Sequence, residues 1–108
     1  MNSNIRMIVS DLDCTYLKNN KTISDYTRYI TEKCRKQGIV FIVATARPVR
    51  AVRNYIQDID FDGAVYHNGA VVHFADQLIG NMGIRPEITS KILQNINKDY
   101  RGIKLAVE

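Results

Sequence analysis

A six-residue apolar segment, residues 39–44, constrains the fold of this 108-residue chain more than any other feature. Both of its alternating sets of side chains are apolar, which is typical of a strand buried on both faces in a parallel sheet flanked by helices. Before it, apolar residues at helical spacing predict a helix over residues 25–37, capped by Ser24 and ended by Gly38. Residues 5–10 are rich in β-formers and predict an earlier buried strand. The order strand, helix, strand predicts an α/β fold with a mostly parallel sheet.

The rest of the chain continues this alternation. Pro48 suits the first turn of a helix through about residue 56, and residues 63–66 predict a third strand. Asn68 and Gly69 stand between two apolar segments and predict a hairpin with a type I′ turn, because both tolerate positive φ angles. Further elements are a short strand within residues 78–84, a helix over residues 86–98 and a strand over residues 103–107.

The composition limits what kind of protein this is. With 45% hydrophobic and 24% charged residues, the chain belongs with globular domains rather than disordered chains, and its length suits one core. Its 15 basic and 11 acidic residues give a net charge of +4, but the basic residues are scattered without interleaved aromatic side chains, which argues against nucleic acid. No apolar segment is long enough for a bilayer and no secretory pattern opens the chain, so we expect no membrane partner and a cytoplasmic protein.

Two carboxylates directly follow the first predicted strand. Asp11 and Asp13 would share one small site at the carboxyl edge of the sheet, where ligands of α/β proteins bind. Two adjacent carboxylates are costly to ionise together unless a cation neutralises them or one pKa rises, so the pair predicts a Mg²⁺ site or, alternatively, a bare acid/base pair. The next strand ends at Thr45, followed by Arg47 and a helix N-terminus, a combination that favours a phosphate.

Three segments carry a resemblance to a known family. Residues 8–15 resemble the first signature of the haloacid dehalogenase superfamily, an apolar strand followed by Asp-x-Asp-Gly-Thr. Residues 43–48 resemble its second signature, usually Ala-Thr-Gly-Arg, and residues 67–70 are similar to the Asn-Gly-Ala segment of its Cof-type sugar-phosphate phosphatases. The resemblance implies a three-layer Rossmann-like core, incomplete here, over residues 1–80, and the beginning of an α+β cap domain over residues 81–108.

The resemblance also implies a reaction. It predicts a Mg²⁺-dependent phosphatase that acts on a small phosphorylated metabolite through an aspartyl-phosphate, with Asp11 as nucleophile and Asp13 as general acid and base. Mg²⁺ would be bound by Asp11 and by the backbone carbonyl of Asp13, and Thr45 would hydrogen-bond the transferring phosphoryl group. The substrate-binding residues implied in the same way are Thr15, Arg47, Asn68 and Gly69.

The sequence departs from the family pattern in several places. Cys14, Tyr16 and Ala46 replace a Gly, a Leu and a Gly, and the first of these is costly if its position needs positive φ. The lysine and the second acidic loop of the family are not found before Glu108, so we expect the N-terminal portion of a larger enzyme, with weak turnover or none. Two alternatives stay open: a receiver-like phospho-accepting module, although Thr45 stands where an acceptor Asp would be expected, and a catalytically silent binding or assembly domain. The oligomeric state is open as well.

Overall fold

The computed structural model describes residues 4–56 and 61–108. Its strands and helices follow the predicted alternation. In chain order they are β1 Met7–Asp11, α1 Asp25–Lys36, β2 Val40–Ala44, α2 Val49–Ile56, β3 Gly63–Tyr66, β4 Val71–Phe74, β5 Gln77–Asn81 and α3 Pro86–Asp99. Two short turns complete the path, a helical turn over Leu12–Tyr16 and a 3₁₀ turn over His67–Gly69.

The five strands form one mixed sheet in the order β1-β2-β3-β4-β5. The first three strands are parallel, as the strand-helix-strand order requires, and β3, β4 and β5 are joined by antiparallel hairpins. In register, Asp11 lies beside Ala44, and Ala44 lies beside Val65. The carboxyl ends of the three parallel strands therefore meet at one edge, and the α/β Rossmann-like fold is confirmed.

The core lies on one face of the sheet. The connections from β1 to β2 and from β2 to β3 both run in the same direction across the sheet. Because such parallel connections are right-handed, α1 and α2 lie on the same face of the sheet. Phe41 and Val43 of β2 and Val52 of α2 are buried there, with the loop residues Leu12 and Leu17. The rings of Tyr16, Phe41 and Phe61 pack with centroids 5.3–5.7 Å apart.

The strand predicted over residues 5–10 is found as β1, but the expectation that it is buried is wrong. Within the described residues β1 pairs only with β2 and so forms an edge of the sheet. Met7 and Val9 point to the face opposite the helices and are 53% and 58% exposed. By contrast, β2 has buried side chains on both of its faces, as its sequence predicts.

The hairpin at Asn68-Gly69 is confirmed, but its turn is longer than predicted. Tyr66 pairs with Val71, so four residues connect β3 to β4, and positive φ begins at His67. The two-residue turn with positive φ at both central positions lies instead at Ala75 and Asp76, between β4 and β5. Sequence reasoning missed it, since neither residue is a glycine or an asparagine.

The C-terminal part contributes no residue to the buried core. Helix α3 is one residue longer than predicted and has no buried residue. The strand predicted over residues 103–107 is wrong, because all six residues from 103 to 108 are described without regular structure. The radius of gyration is 17.8 Å, whereas a compact chain of this length has about 13 Å. Among the helices of the described ranges, none combines the length and the apolar character needed to cross a membrane.

Candidate active site

The loop after β1 fixes Asp11 at the carboxyl edge of the sheet. Leu12, Tyr16 and Leu17 are buried beneath this loop, and the Leu17 N–H donates to the Leu12 carbonyl at 2.8 Å. Apolar side chains therefore hold the turn while Asp11 stays exposed. The Thr15 hydroxyl donates to Asp11 Oδ2 at 3.3 Å, which leaves Oδ1 without a hydrogen bond among the described residues.

Cys14 occupies a strained position in this turn. Its φ is 58°, in the left-handed region that favours glycine. The position therefore has the positive φ that makes a residue other than glycine costly. Ala46 is not among the described residues with positive φ, so the second replacement carries no such strain.

The carboxylate of Asp13 is held by two cations. Arg47 approaches it as a fork, with Nε 2.6 Å from Oδ2 and Nη2 2.9 Å from Oδ1. Lys21 Nζ lies 2.5 Å from Oδ1. The hydrogen bonds from Arg47 first, and then those from Lys21, lower the pKa of Asp13 from 3.8 to about 2. Asp13 is therefore ionised at neutral pH, the form that can accept a proton but not donate one.

Arg47 is turned toward Asp13 rather than into the open site. Its guanidinium lies 5.5 Å from the centre of the Tyr55 ring, in cation–π contact, while its backbone N–H donates to Thr45 Oγ1 at 3.1 Å. The hydrogen bonds to Asp13 raise the pKa of Arg47. In this arrangement Arg47 orients Asp13, and a direct contact of Arg47 with a substrate stays a prediction.

A cavity of about 330 Å³ opens at the carboxyl ends of β1, β2 and β3. Four of the seven predicted site residues line it: Asp11, Thr45, Asn68 and Gly69; Ala44, Ala46 and Val65 complete the lining. Thr15 contacts the carboxylate of Asp11, and Asp13 of the loop after β1 pairs with Arg47 of the segment between β2 and α2. The structure thus gathers all seven residues at one sheet edge.

Backbone hydrogen bonds position the donors of this cavity. Thr45 is buried, and its N–H donates to the Val65 carbonyl, while its own carbonyl accepts from the Asn68 N–H at 3.2 Å. Thr45 Oγ1 accepts from the Arg47 N–H, and no hydrogen bond among the described residues uses its hydroxyl hydrogen, which can therefore donate to an oxygen of a ligand. Asn68 adopts φ 55°, so the 3₁₀ turn brings the Asn68-Gly69 backbone to the cavity.

Lys21 is the site residue that sequence reasoning missed. It belongs to a polar stretch between β1 and α1 in which no spacing distinguishes one lysine from another. The structure shows that the chain turns back toward the loop after β1 and that Lys21, and not Lys18, contacts Asp13.

The residues fit a magnesium ion that takes few ligands from the protein. No group of three or more His, Cys, Asp or Glu residues within the described ranges could hold a metal. Since the Asp13 carboxylate is engaged by Arg47 and Lys21, the chain offers Asp11 and backbone carbonyls. Mg²⁺ commonly binds through one or two carboxylates and takes the rest of its ligands from water and phosphate.

The fold and the site together define a Rossmann-like α/β protein with an acidic loop after its first strand. The sequence profile of haloacid dehalogenase-like hydrolases matches residues 8–108, so this chain belongs to the haloacid dehalogenase-like hydrolase family. The family resemblance of the three sequence segments is thereby confirmed.

Individual relatives agree with this assignment. The 5-amino-6-(5-phospho-D-ribitylamino)uracil phosphatase YitU of Bacillus subtilis is 35% identical over 68 residues, which are 62% of this chain and 25% of that protein. A haloacid dehalogenase-like hydrolase of B. subtilis superimposes with a TM-score of 0.77 at 23% identity, over 88% of this chain and 34% of the other. A Thermotoga maritima protein gives a TM-score of 0.74 at 28% identity, over 89% and 37%. The chain thus spans about a quarter to two fifths of these relatives' lengths.

Proposed function

We propose that this chain carries the phosphoryl-binding site of a Mg²⁺-dependent phosphatase that hydrolyses a small phosphorylated metabolite through an aspartyl-phosphate. The observation that supports this most directly is the cavity at the sheet edge, which combines the free Oδ1 of Asp11 with the Thr45 hydroxyl and the Asn68-Gly69 turn. The relative YitU is a phosphatase whose name describes a phosphorylated ribityl compound, and a substrate similar to a sugar phosphate follows by analogy. In the same proposal the protein is cytoplasmic and has neither nucleic acid nor membrane as a partner.

Asp11 acts as the nucleophile in this proposal. Thr15 holds Oδ2, so that Oδ1 is the oxygen directed to phosphorus. The new Oδ1–P bond forms as the bond from phosphorus to the alcohol oxygen breaks, and water later cleaves the aspartyl-phosphate to restore the carboxylate. Thr45 donates to a phosphoryl oxygen, where negative charge gathers in the transition state. When bound, Mg²⁺ supplies neutralisation of the charge repulsion between the carboxylate and the phosphate.

Asp13 handles the protons in this proposal. Its ionised carboxylate suits the second step, in which a base takes a proton from the attacking water. Protonation of the departing alcohol in the first step requires a proton on Asp13, so the hydrogen bonds from Arg47, the largest cause of its lowered pKa, must loosen as substrate binds.

The receiver-like alternative gains no support from the strand ends. A receiver needs an acceptor aspartate at the end of a later parallel strand, but β2 ends at Ala44 and β3 ends at Tyr66. The silent binding domain differs from the phosphatase in one measurable respect, which is whether Asp11 captures a phosphoryl group.

The test measures that capture without requiring turnover. Beryllium fluoride forms a mimic of the phosphoryl group on a reactive aspartate, and ¹⁹F NMR detects the bound species. With Mg²⁺, we expect a bound signal on the unaltered chain and none on Asp11→Asn, because the amide lacks the attacking oxygen anion. Asp25→Asn removes an exposed aspartate from the first turn of α1 and serves as the matched control that keeps the signal.

The second readout is the release of phosphate from an aryl phosphate in the presence of Mg²⁺, compared between the unaltered chain and Asp11→Asn. A bound fluoride signal of equal size on Asp11→Asn would show that Asp11 is not the nucleophile. A chain that forms no adduct under any condition would favour the silent binding domain instead.

A further inference from the structure

Lys21 is held in a costly backbone conformation. Its φ is 64°, in the left-handed region that a lysine rarely adopts. Two backbone hydrogen bonds close the turn around it, from Lys18 N–H to the Thr22 carbonyl at 2.8 Å and from Lys21 N–H to the Lys18 carbonyl at 2.9 Å. Asn20 Oδ1 accepts from both the backbone and the hydroxyl of Thr22. Such strain persists where the surrounding structure fixes it, and it concentrates at functional sites.

The side chain of Lys21 has spare hydrogen-bonding capacity. Its ammonium group has three donors, and Asp13 Oδ1 is its hydrogen-bond partner among the described residues. The side chain is 38% exposed, so a ligand can reach it. Together with Asp13 and Arg47, it forms a cluster with a formal charge of +1, which favours an anion.

The contact between Lys21 and Asp13 indicates which part of a substrate Lys21 can reach. A leaving-group oxygen that hydrogen-bonds to an Asp13 oxygen lies about 2.7–2.8 Å from it. Lys21 Nζ lies 2.5 Å from Oδ1 of the same carboxylate. Both groups would then contact the same carboxylate, so the ammonium lies within reach of a substituent on the carbon that bears the leaving oxygen.

We propose that Lys21 is a specificity-determining residue that favours phosphate monoesters with a carboxylate on the carbon bearing the ester oxygen. This inference rests on the proposed function, because it takes Asp13 to face the leaving group. Lys21 donates to the carboxylate of the substrate with the hydrogens that Asp13 leaves free.

Two ligands that differ in one group test the proposal. In 2-phosphoglycerate, a carboxylate occupies the position of one hydroxymethyl group of glycerol 2-phosphate. Dissociation constants for both are measured by NMR titration of the full chain carrying Asp11→Asn, which prevents hydrolysis and removes repulsion between the nucleophile and phosphate. Because both ligands share the phosphate, the ratio of their dissociation constants isolates the contact with the carboxylate.

We expect 2-phosphoglycerate to bind about fivefold tighter, the size typical of a partly exposed ion pair. Lys21→Met should reduce this ratio to about one, whereas Lys21→Arg should retain it because the positive charge remains. Lys18→Met removes a lysine from the same turn that has no side-chain hydrogen bond to Asp13, and it should leave the ratio unchanged.

The possible failures are distinguishable. Equal binding of the two ligands before Lys21 is changed, or an unchanged ratio in Lys21→Met, would overturn the role of Lys21 and leave the phosphate site intact. Absence of saturable binding by either ligand would overturn the proposed function at this site, and the inference with it.

Discussion

Cys14 has a backbone conformation that is unfavourable for a residue with a Cβ. Its φ of 58° is fixed by the loop that carries Asp11 and Asp13, and that loop is held by the buried side chains of Leu12 and Leu17. A residue with a Cβ pays about 1–2 kcal/mol in this conformation. The same turn places the exposed thiol next to Asp13 in the chain.

We expect Cys14→Gly to raise the free energy of unfolding by about 0.5–1 kcal/mol, because relief of strain outweighs the extra freedom of glycine in the unfolded chain. Urea denaturation followed by circular dichroism measures the change. Cys14→Ala removes the thiol but keeps the Cβ, so its unfolding free energy should stay within about 0.5 kcal/mol of the unaltered chain. Equal stabilisation by both substitutions would assign the effect to the thiol instead of the backbone.

At the residue scale, the sequence predicted which side chains gather but not which of them pair. Asp11, Thr45 and Asn68 each follow a predicted strand, and parallel strands bring those positions to one edge. The fork of Arg47 on Asp13 depends on side-chain rotamers and on the ring of Tyr55. Neither is encoded in residue spacing, and the sequence therefore predicts Arg47 only as a substrate-binding residue.

Asp62 connects three elements. Its carboxylate accepts from Arg35 of α1 at 3.0 and 3.3 Å and from the backbone N–H of Phe41 in β2 at 2.7 Å. Its backbone carbonyl accepts from Ala75 in the turn between β4 and β5. The hydrogen bond from Arg35 is the largest cause that lowers the pKa of Asp62 below its usual value.

We expect Asp62→Ala to reduce the free energy of unfolding by about 1–3 kcal/mol at neutral pH, because Phe41 N–H loses its acceptor and Arg35 loses a charged partner. Asp62→Asn keeps an oxygen acceptor for Phe41 and should lose less. Chemical denaturation of the two variants and the unaltered chain measures the difference. If the alanine variant were as stable as the asparagine variant, the hydrogen bond to Phe41 would contribute nothing.

The same carboxylate predicts a pH dependence. A group whose pKa is lower in the folded state stabilises that state above its unfolded pKa and loses the effect as pH falls through the folded value. The ordinary pKa of an aspartate, which stands for the unfolded state, is 3.8. The stability difference between the unaltered chain and Asp62→Asn should therefore be constant from pH 7 to about 5 and shrink below about 4. A difference that grew on acidification would contradict the assigned sign.

At the element scale, the sequence pattern predicted the helices and strands of the described chain. It did not predict the position of each strand in the sheet or its burial. Residues 5–10 and 39–44 are both apolar, yet β1 is an edge strand and β2 is central. Strand order depends on contacts between distant segments, which local apolar content does not specify. Residues 103–107 illustrate the opposite error: an alternating pattern forms no strand in the described chain because no neighbouring strand pairs with it.

The whole molecule consists of a part with a buried core and a C-terminal part that adds no residue to that core. The core is built by residues of β1 to β4, of α2 and of the loops between the elements, whereas α3 has no buried residue and its Ile88 and Ile92 are 41% and 46% exposed. The long dimension of the molecule is 60 Å and the shortest is 21 Å. Since burial of apolar area is the main source of stability, we infer that the division proposed between residues 1–80 and 81–108 separates a part that folds by its own core from a part that does not.

Two truncations of similar size test this division. Leu17 is 2% exposed and Ile92 is 46% exposed. Leu17→Ala should lower the free energy of unfolding by about 2–5 kcal/mol through lost burial and a cavity. Ile92→Ala should change it by no more than about 0.5 kcal/mol, because its side chain is already in contact with water.

Urea denaturation at several protein concentrations gives both values and excludes burial of Ile92 by self-association, which would make the result depend on concentration. A loss in Ile92→Ala comparable to that in Leu17→Ala, at every concentration, would mean that α3 belongs to the same cooperative unit as the sheet. A loss confined to Leu17→Ala would mean that the exposed side of α3 adds nothing to the stability of the core that positions Asp11.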